Sequence, residues 1–329
     1  MTTEMIAAPS GSLTFAGRGR RADRAFRWIV AGSGFIVLLI LALMIGSTTL
    51  DAIPVFASQG IWNFVTGTTW DPGVSRTAIT GTYQAGAFLY GTLVTSAIAI
   101  VLALPLSIAI ALFLSDVAAP RVARPLVYLV ELLAAIPSVV YGLWGLHFFA
   151  PTVLKPVAQA LAGTLGFVPI FDGPVIAFNP FYAGVVLAIM ILPIITAIIR
   201  EVFVAAPGAE RDAAYALGAT RWEVMRSIVV PRSRPGIIGA AMLGLGRALG
   251  ETIAIAMLIG GGTTINASLF HQSESIAAKI VNTFQESAPE AVDALIALGV
   301  TLFAITIVIN MAARLIVRRL GDLTGEAIG

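Results

Sequence analysis

The chain of 329 residues has no cysteine, so disulfides and thiolate metal sites are excluded. Its two histidines, His147 and His271, lie far apart in the sequence and give metal chemistry no cluster to use. Lysine is as scarce, with only Lys155 and Lys279, which follow Leu154 and Ala278. A P-loop requires Gly-Lys followed by Ser or Thr, so this chain cannot supply its own site for ATP hydrolysis. Charged residues make up 12% of the sequence, and the net charge of +2 is scattered over short segments, which argues against a nucleic-acid partner. What is abundant is apolar surface: 58% of residues are hydrophobic and the mean hydropathy is +0.92, which marks an integral membrane protein.

A helix crossing a hydrocarbon core of about 30 Å needs roughly 20 mostly apolar residues. Six stretches qualify, near 28–50, 86–114, 125–149, 181–200, 235–262 and 291–317. The expected fold is therefore an all-α polytopic membrane protein with six transmembrane helices in one domain, 28–317, between tails at 1–27 and 318–329. With the N-terminus inside, sixteen Lys and Arg residues fall on the inner side against three outside, Arg76, Lys155 and Lys279. Both termini are expected in the cytoplasm. The 23-residue first stretch is too long for a signal-peptide core and reads as an uncleaved anchor. The outer connections, 51–85, 150–180 and 263–290, are long enough to hold short helices.

Pro105, Pro137 and Pro193 fall within spans, where a missing N–H loosens the helical ladder and allows a bend. The fifth stretch carries Gly236, Gly239, Gly244, Gly246 and Gly250. Its Gly246-x-x-x-Gly250 pair would let another backbone approach, as at a subunit interface. At 28 residues it would measure about 42 Å as one helix, so it must tilt, break or protrude.

Between the fourth and fifth stretches, residues 202–234 form an inner loop with sharp local signals. Pro207 suits the first turn of a helix, Ala209 to Leu217 are mostly helix formers, and Gly218 suits the left-handed position that ends one. Thr220 and Glu223 form a capping box for a second helix, which Pro231 helps terminate. These signals alone fit a plain connector equally well.

Arg247 lies near the centre of the fifth stretch, and Glu251 is one helical turn later if the helix is continuous. A central charge costs about 2.5–3.5 kcal/mol on insertion scales, so such groups face a protein interior or a wet pathway. One reading is an ion pair that staples the helix into a bundle. The other is an anion pathway, in which the guanidinium binds an oxyanion and the carboxylate occupies it otherwise. Glu131, near the inner end of the third stretch, fits a snorkelling or interhelical group. Ser138 and Thr252 could donate to an anion or simply to their own backbone.

The run Asp212-Ala213-Ala214, three residues, Gly218, nine residues, Ile228 and Pro231 resembles the cytoplasmic loop signature of ABC importer membrane subunits. It departs from Glu-Ala-Ala and Ile-x-Leu-Pro only at Asp212 and Val230. The segments Ile136-Pro137-Ser138-Val139-Val140-Tyr141-Gly142 and Gly244-Leu245-Gly246-Arg247-Ala248-Leu249-Gly250-Glu251-Thr252 resemble, more narrowly, phosphate-specific permeases of the PstC type. That resemblance implies the type I importer permease (MetI-like) fold and a bacterial cytoplasmic membrane location. It implies a non-enzymatic channel subunit for inorganic phosphate, with no cofactor of its own. Its partners would be a PstA-type permease, two PstB-type ATPases carrying ATP and Mg, and a PstS-type binding protein. The substrate path would involve Arg247, Glu251, Ser138 and Thr252. The ATPase would dock at Asp212, Ala213, Ala214, Gly218, Ala219, Thr220 and Glu223. The rivals are a permease for sulfate or molybdate, and an ion-gradient transporter using Glu131 and Glu251 as a relay.

Overall fold

A computed structural model describes residues 19–72, 81–286 and 289–325. The start of the expected N-terminal tail (1–18, with Arg18), the outer Arg76 and the end of the C-terminal tail (326–329) lie outside the described residues. The chain separates into two units, residues 1–50 and 51–329. Helix α1 (Gly19–Gln59) makes up the described part of the first and runs on into the second, so residues 19–27 of the expected tail are already helical. The last helix likewise reaches Gly325, past the expected end of the spans at 317.

The second unit continues through α2 (Ile61–Thr66) to a minimal antiparallel hairpin, β1 (Trp70–Asp71) with β2 (Thr82–Tyr83), in which Trp70 pairs with Tyr83. Then come α3 (Gly86–Leu112), closed by a widened π-type turn at Phe113–Val117, and α4 (Pro120–Ala135). After a break, α5 (Ser138–Trp144) passes through a widened segment at Gly145–Leu154, which contains Pro151, into α6 (Lys155–Leu165). The long α7 (Pro180–Val204) leads to α8 (Gly208–Ala216) and α9 (Arg221–Val224) of the loop. A third widened turn, Met225–Val229, joins α10 (Val230–Arg232) to α11 (Arg234–Leu249). The remaining helices are α12 (Ile253–Ala256), α13 (Ile276–Thr283) and α14 (Pro289–Gly325).

Among the described residues four helices are long and apolar enough to cross a membrane: Asp23–Gln59, Gly86–Val117, Pro180–Val204 and Ala291–Leu315. The third and fifth of the six expected stretches are interrupted. Pro137 does more than bend its helix, because α4 and the helix from Ser138 to Leu165 meet at 91°. Pro105 and Pro193, by contrast, stay inside unbroken helices. The fifth stretch stops at Leu249, where Gly250 and Glu251 leave the helix before α12 restarts, so breaking resolves its excess length.

The core is built on α3 and α7. Ala99, Ala103, Ser107 and Ala111 recur every fourth residue along α3 and are all buried, a smooth stripe that lets α7 come close. Into it pack Leu187, Ile191, Ile195 and Ile199, and the Ser107 hydroxyl donates to the Leu192 carbonyl at 3.1 Å. Helix α11 lies on both, and Gly244 is where it approaches most tightly: a Cβ there would stand 2.4 Å from Ile195 Cδ1. A second core, near the hairpin, joins Val55, Phe64, Tyr83, Phe88, Ile276 and Leu295. Beside it Lys279 is bound from three sides, by Glu274 at 3.6 Å and by the rings of Trp70 and Phe88. Burial pushes the Glu274 carboxyl above its usual range, against the opposing pull of Lys279.

Candidate functional site

The α8–α9 loop is folded by the local rules its sequence announces. Gly218 has φ +85°, the left-handed conformation that glycine adopts without strain. Around it the Ala219 N–H donates to the Ala214 carbonyl at 3.1 Å and the Gly218 N–H to that of Tyr215 at 2.9 Å. This bond pair is a Schellman motif closing α8. The Thr220 hydroxyl then accepts from the Glu223 N–H, and the Glu223 carboxylate accepts from the Thr220 N–H at 2.7 Å and from its hydroxyl at 2.8 Å. These two donors, the backbone N–H foremost, hold the Glu223 carboxyl below its ordinary value. Pro231 does not end this second helix outright. The widened turn at Met225–Val229 absorbs the missing N–H, and α10 carries the path to Ser233 and α11.

Asp212 and Ala213 are exposed, but Ala214 and Ala219 are half-buried against the core of the second unit. Ala214 and Ala219 therefore help seat the loop on its own chain, while Ala213 and Gly218 stay on its outward surface beside larger side chains. Leu217 is 89% exposed, Trp222 61% and Tyr215 45%, three large apolar side chains around one turn. Solvated loops do not ordinarily present such a group, and it marks a surface made to be covered. Composition could have found them, since Tyr, Leu and Trp are out of place in a short polar connector.

A second residue missed from sequence is Arg211. Its Nη1 donates to Asp116 Oδ1 at 2.7 Å and its Nη2 to the Phe203 carbonyl at 2.5 Å, so one guanidinium ties α8 to the end of α3 and to the end of α7. Asp116 is further fixed by the Ser115 hydroxyl at 2.6 Å. Both side chains are largely buried, at 19% and 13% exposed. The partners are 95 positions apart, a contact that no local pattern announces.

The second candidate site is at the break after α11. Arg247 is exposed and lines a cavity of about 820 Å³ between α7, α11 and α14, whereas Glu251 is 9% exposed. The expected helical pairing of the two does not form, because the helix ends at Leu249 and turns Glu251 away. Among the described residues no ion pair joins them, and Glu251 Oε1 instead accepts from the Ala254 N–H at 3.4 Å, at the start of α12. The Thr252 hydroxyl donates to the Gly250 carbonyl, a backbone bond within the break itself. Ser138 is half-buried at the start of α5. The two breaks are neighbours: α12 packs on α5, where a Cβ on Gly142 would stand 3.1 Å from Ala254 Cα. Glu131 lies apart, exposed at a smaller cavity of about 240 Å³ that Thr196 and the Arg200–Glu201 pair also line. Gly239 and Gly246 face open space and a Cβ on Gly250 would meet the Gly246 carbonyl at 3.7 Å, so among the described residues no other helix approaches at the Gly246-x-x-x-Gly250 pair.

The sequence profile described as "Binding-protein-dependent transport system inner membrane component" matches residues 103–322, which include both breaks and the whole loop. The chain belongs to this family of transport permeases. It is 40% identical to the phosphate transport system permease protein PstC of Haemophilus influenzae over 298 residues, 89% of this chain and 91% of that protein. It is 38% identical to PstC of Xylella fastidiosa strain 9a5c over 99% of this chain and 100% of that protein, and 37% identical to PstC 2 of Mycobacterium tuberculosis over 96% and 98%. Among solved structures, a bacterial ABC transporter for the acidic polysaccharide alginate has a subunit that superposes with a TM-score of 0.61 at 16% identity, covering 91% of this chain and 98% of its own. A chain of the MetNI methionine ABC transporter gives 0.53 at 17%, covering 71% and 94%. At these identities the structures establish the fold, that of ABC importer permeases, and the chain is a multi-pass membrane protein of that class.

Proposed function

We propose that this permease is the membrane channel subunit of an ATP-driven importer of inorganic phosphate, working by alternating access. The observation that carries the reading is Arg247, a guanidinium with no carboxylate partner among the described residues, lining a cavity of about 820 Å³ between α7, α11 and α14. A guanidinium fork left without a partner suits the oxygens of an arriving oxyanion, which would pair it. The PstC names of the relatives supply the identity of the oxyanion.

Energy would enter through the loop. Leu217, Trp222 and Tyr215 would seat in a cleft of a PstB-type ATPase, where ATP and Mg bind, with the exposed Asp212 on the same loop, while the Thr220–Glu223 cap fixes the loop's shape. From Arg221 the chain is helical to Leu249 with two soft points, the widened turn at Met225–Val229 and Ser233. Displacement of the loop therefore reaches Arg247 along one nearly continuous rod, while Arg211 transmits it to α3 and α7. A PstA-type permease would complete the path, covering the open Gly239 and Gly246 face. A PstS-type protein would deliver phosphate on the opposite side, with both termini of this chain cytoplasmic.

Reconstitution of the complex in proteoliposomes tests this. ATP with the binding protein should drive accumulation of radiolabelled phosphate that excess sulfate or molybdate does not suppress. Uptake driven by an ion gradient without ATPase would contradict the mechanism, and suppression by sulfate would reassign the substrate.

A further inference from the structure

Arg247 does not line its cavity alone. Of the twelve side chains and backbone positions around that space, the polar side chains are Arg247, Asn310 and Arg314, and no carboxylate is among them. None of the three makes an ion pair or a side-chain hydrogen bond among the described residues. The rest of the wall is apolar or glycine, with Gly239 and Gly246 facing open space. Each guanidinium therefore faces that space with no counter-charge among the described residues, and an anion entering the groove would supply one.

The positions follow from helix geometry. Asn310 and Arg314 are four residues apart on α14 and share a face, about 6 Å apart along its axis. On α11 the wall runs from Pro235 to Arg247, about 18 Å along the helix. By charge counting Arg314 is only a topology marker, and a headgroup anchor needs no concave wall, no amide beside it and no second arginine in the same space.

We infer that Asn310 and Arg314 form with Arg247 an oxyanion groove that takes a phosphoryl group. Guanidinium forks and an amide NH₂ are suited to phosphate oxygens. The same chemistry fits inorganic phosphate leaving the path and the phosphate of a lipid headgroup lodged in the groove. The first source rests on the transport reading above, and the second does not.

The test uses the full complex in proteoliposomes, with Arg314→Gln, Arg314→Lys and Asn310→Asp. Phosphate uptake, ATP hydrolysis stimulated by the binding protein, and co-purified phospholipid phosphorus are all measured. If inorganic phosphate is the occupant, Arg314→Gln and Asn310→Asp lower uptake by about tenfold or more, the loss of one charge-assisted hydrogen bond. Arg314→Lys then retains most uptake, hydrolysis persists and bound phospholipid is unchanged. If a lipid headgroup is the occupant, the same two variants lose bound phospholipid. Asn310→Asp is nearly isosteric, so it folds even where Arg314→Gln fails to assemble. Normal uptake with unchanged phospholipid in Asn310→Asp overturns the inference. A wild-type complex that moves no phosphate would instead defeat the transport reading, leaving the lipid arm to be judged by phosphorus content.

Discussion

The α8–α9 loop and the break after α11 are both short irregular stretches with a recognisable sequence, yet they are held in opposite ways. The loop is made of contacts within a few residues: Ala219 to Ala214, Gly218 to Tyr215, Glu223 to Thr220. The break is shaped by what surrounds it, by α12 seated on α5 and by a cavity whose far wall is α14. Local bonding makes a rigid object that can be pushed. A site defined by separate helices changes shape when they move, which is what a gated path requires.

The largest expected effect removes the guanidinium that ties the loop to the ends of α3 and α7. Arg211→Ala would leave Asp116 and the Phe203 carbonyl without their donor, and thermal unfolding of the purified subunit should show a loss of about 3 kcal/mol. Asp116→Asn in the same chain should recover part of it. A loss below about 0.5 kcal/mol would mean that the loop stands on local bonds alone.

Next comes the pairing that helical spacing suggests. Because Glu251 turns away from Arg247, the two should act independently, and a double-mutant cycle of Arg247→Gln and Glu251→Gln should be additive within about 0.5 kcal/mol in stability. A coupling of about 2 kcal/mol would restore the staple and contradict the break.

Gly218→Ala sharpens the local side. No atom crowds the site, so the cost is the left-handed backbone alone, about 1 kcal/mol, read as a lower melting temperature with unchanged assembly. Smallest is the pH response of the cap. With the Glu223 carboxyl held low by Thr220, its contribution is full above the ordinary value near 4.5 and is lost as pH falls through the lower folded value. Glu223→Gln should remove that acid-side decline from the melting curve, and an identical decline in the variant would assign it to other carboxylates.

This contrast also explains what could be read in advance. The all-α membrane fold, the Gly218 turn and the Thr220 cap follow from composition and from rules spanning a few residues. Chain length alone required the fifth stretch to deviate, and Gly250 is where it does. Unreadable were the features that depend on which helix lies beside which: Arg211 on Asp116, Arg247 beside Asn310 and Arg314, and Lys279 caught between Glu274, Trp70 and Phe88. Spacing placed Glu251 beside Arg247 because it assumed an unbroken helix. Small residues such as Ala214 and Ala219 carry no sign of which way they face.

The central claim is that the loop receives force and the Arg247 groove handles the anion, at two ends of one helical path. The decisive measurement compares Gly218→Trp with Arg247→Gln in the reconstituted complex, following binding-protein-stimulated ATP hydrolysis and phosphate uptake together. Open space around Gly218 lets the subunit accept the bulk while the ATPase surface is blocked, so that variant should lose hydrolysis stimulation and uptake alike. Arg247→Gln should keep stimulated hydrolysis and lose uptake. If both variants lose the two activities in the same proportion, or if Arg247→Gln transports normally, the division of labour is contradicted.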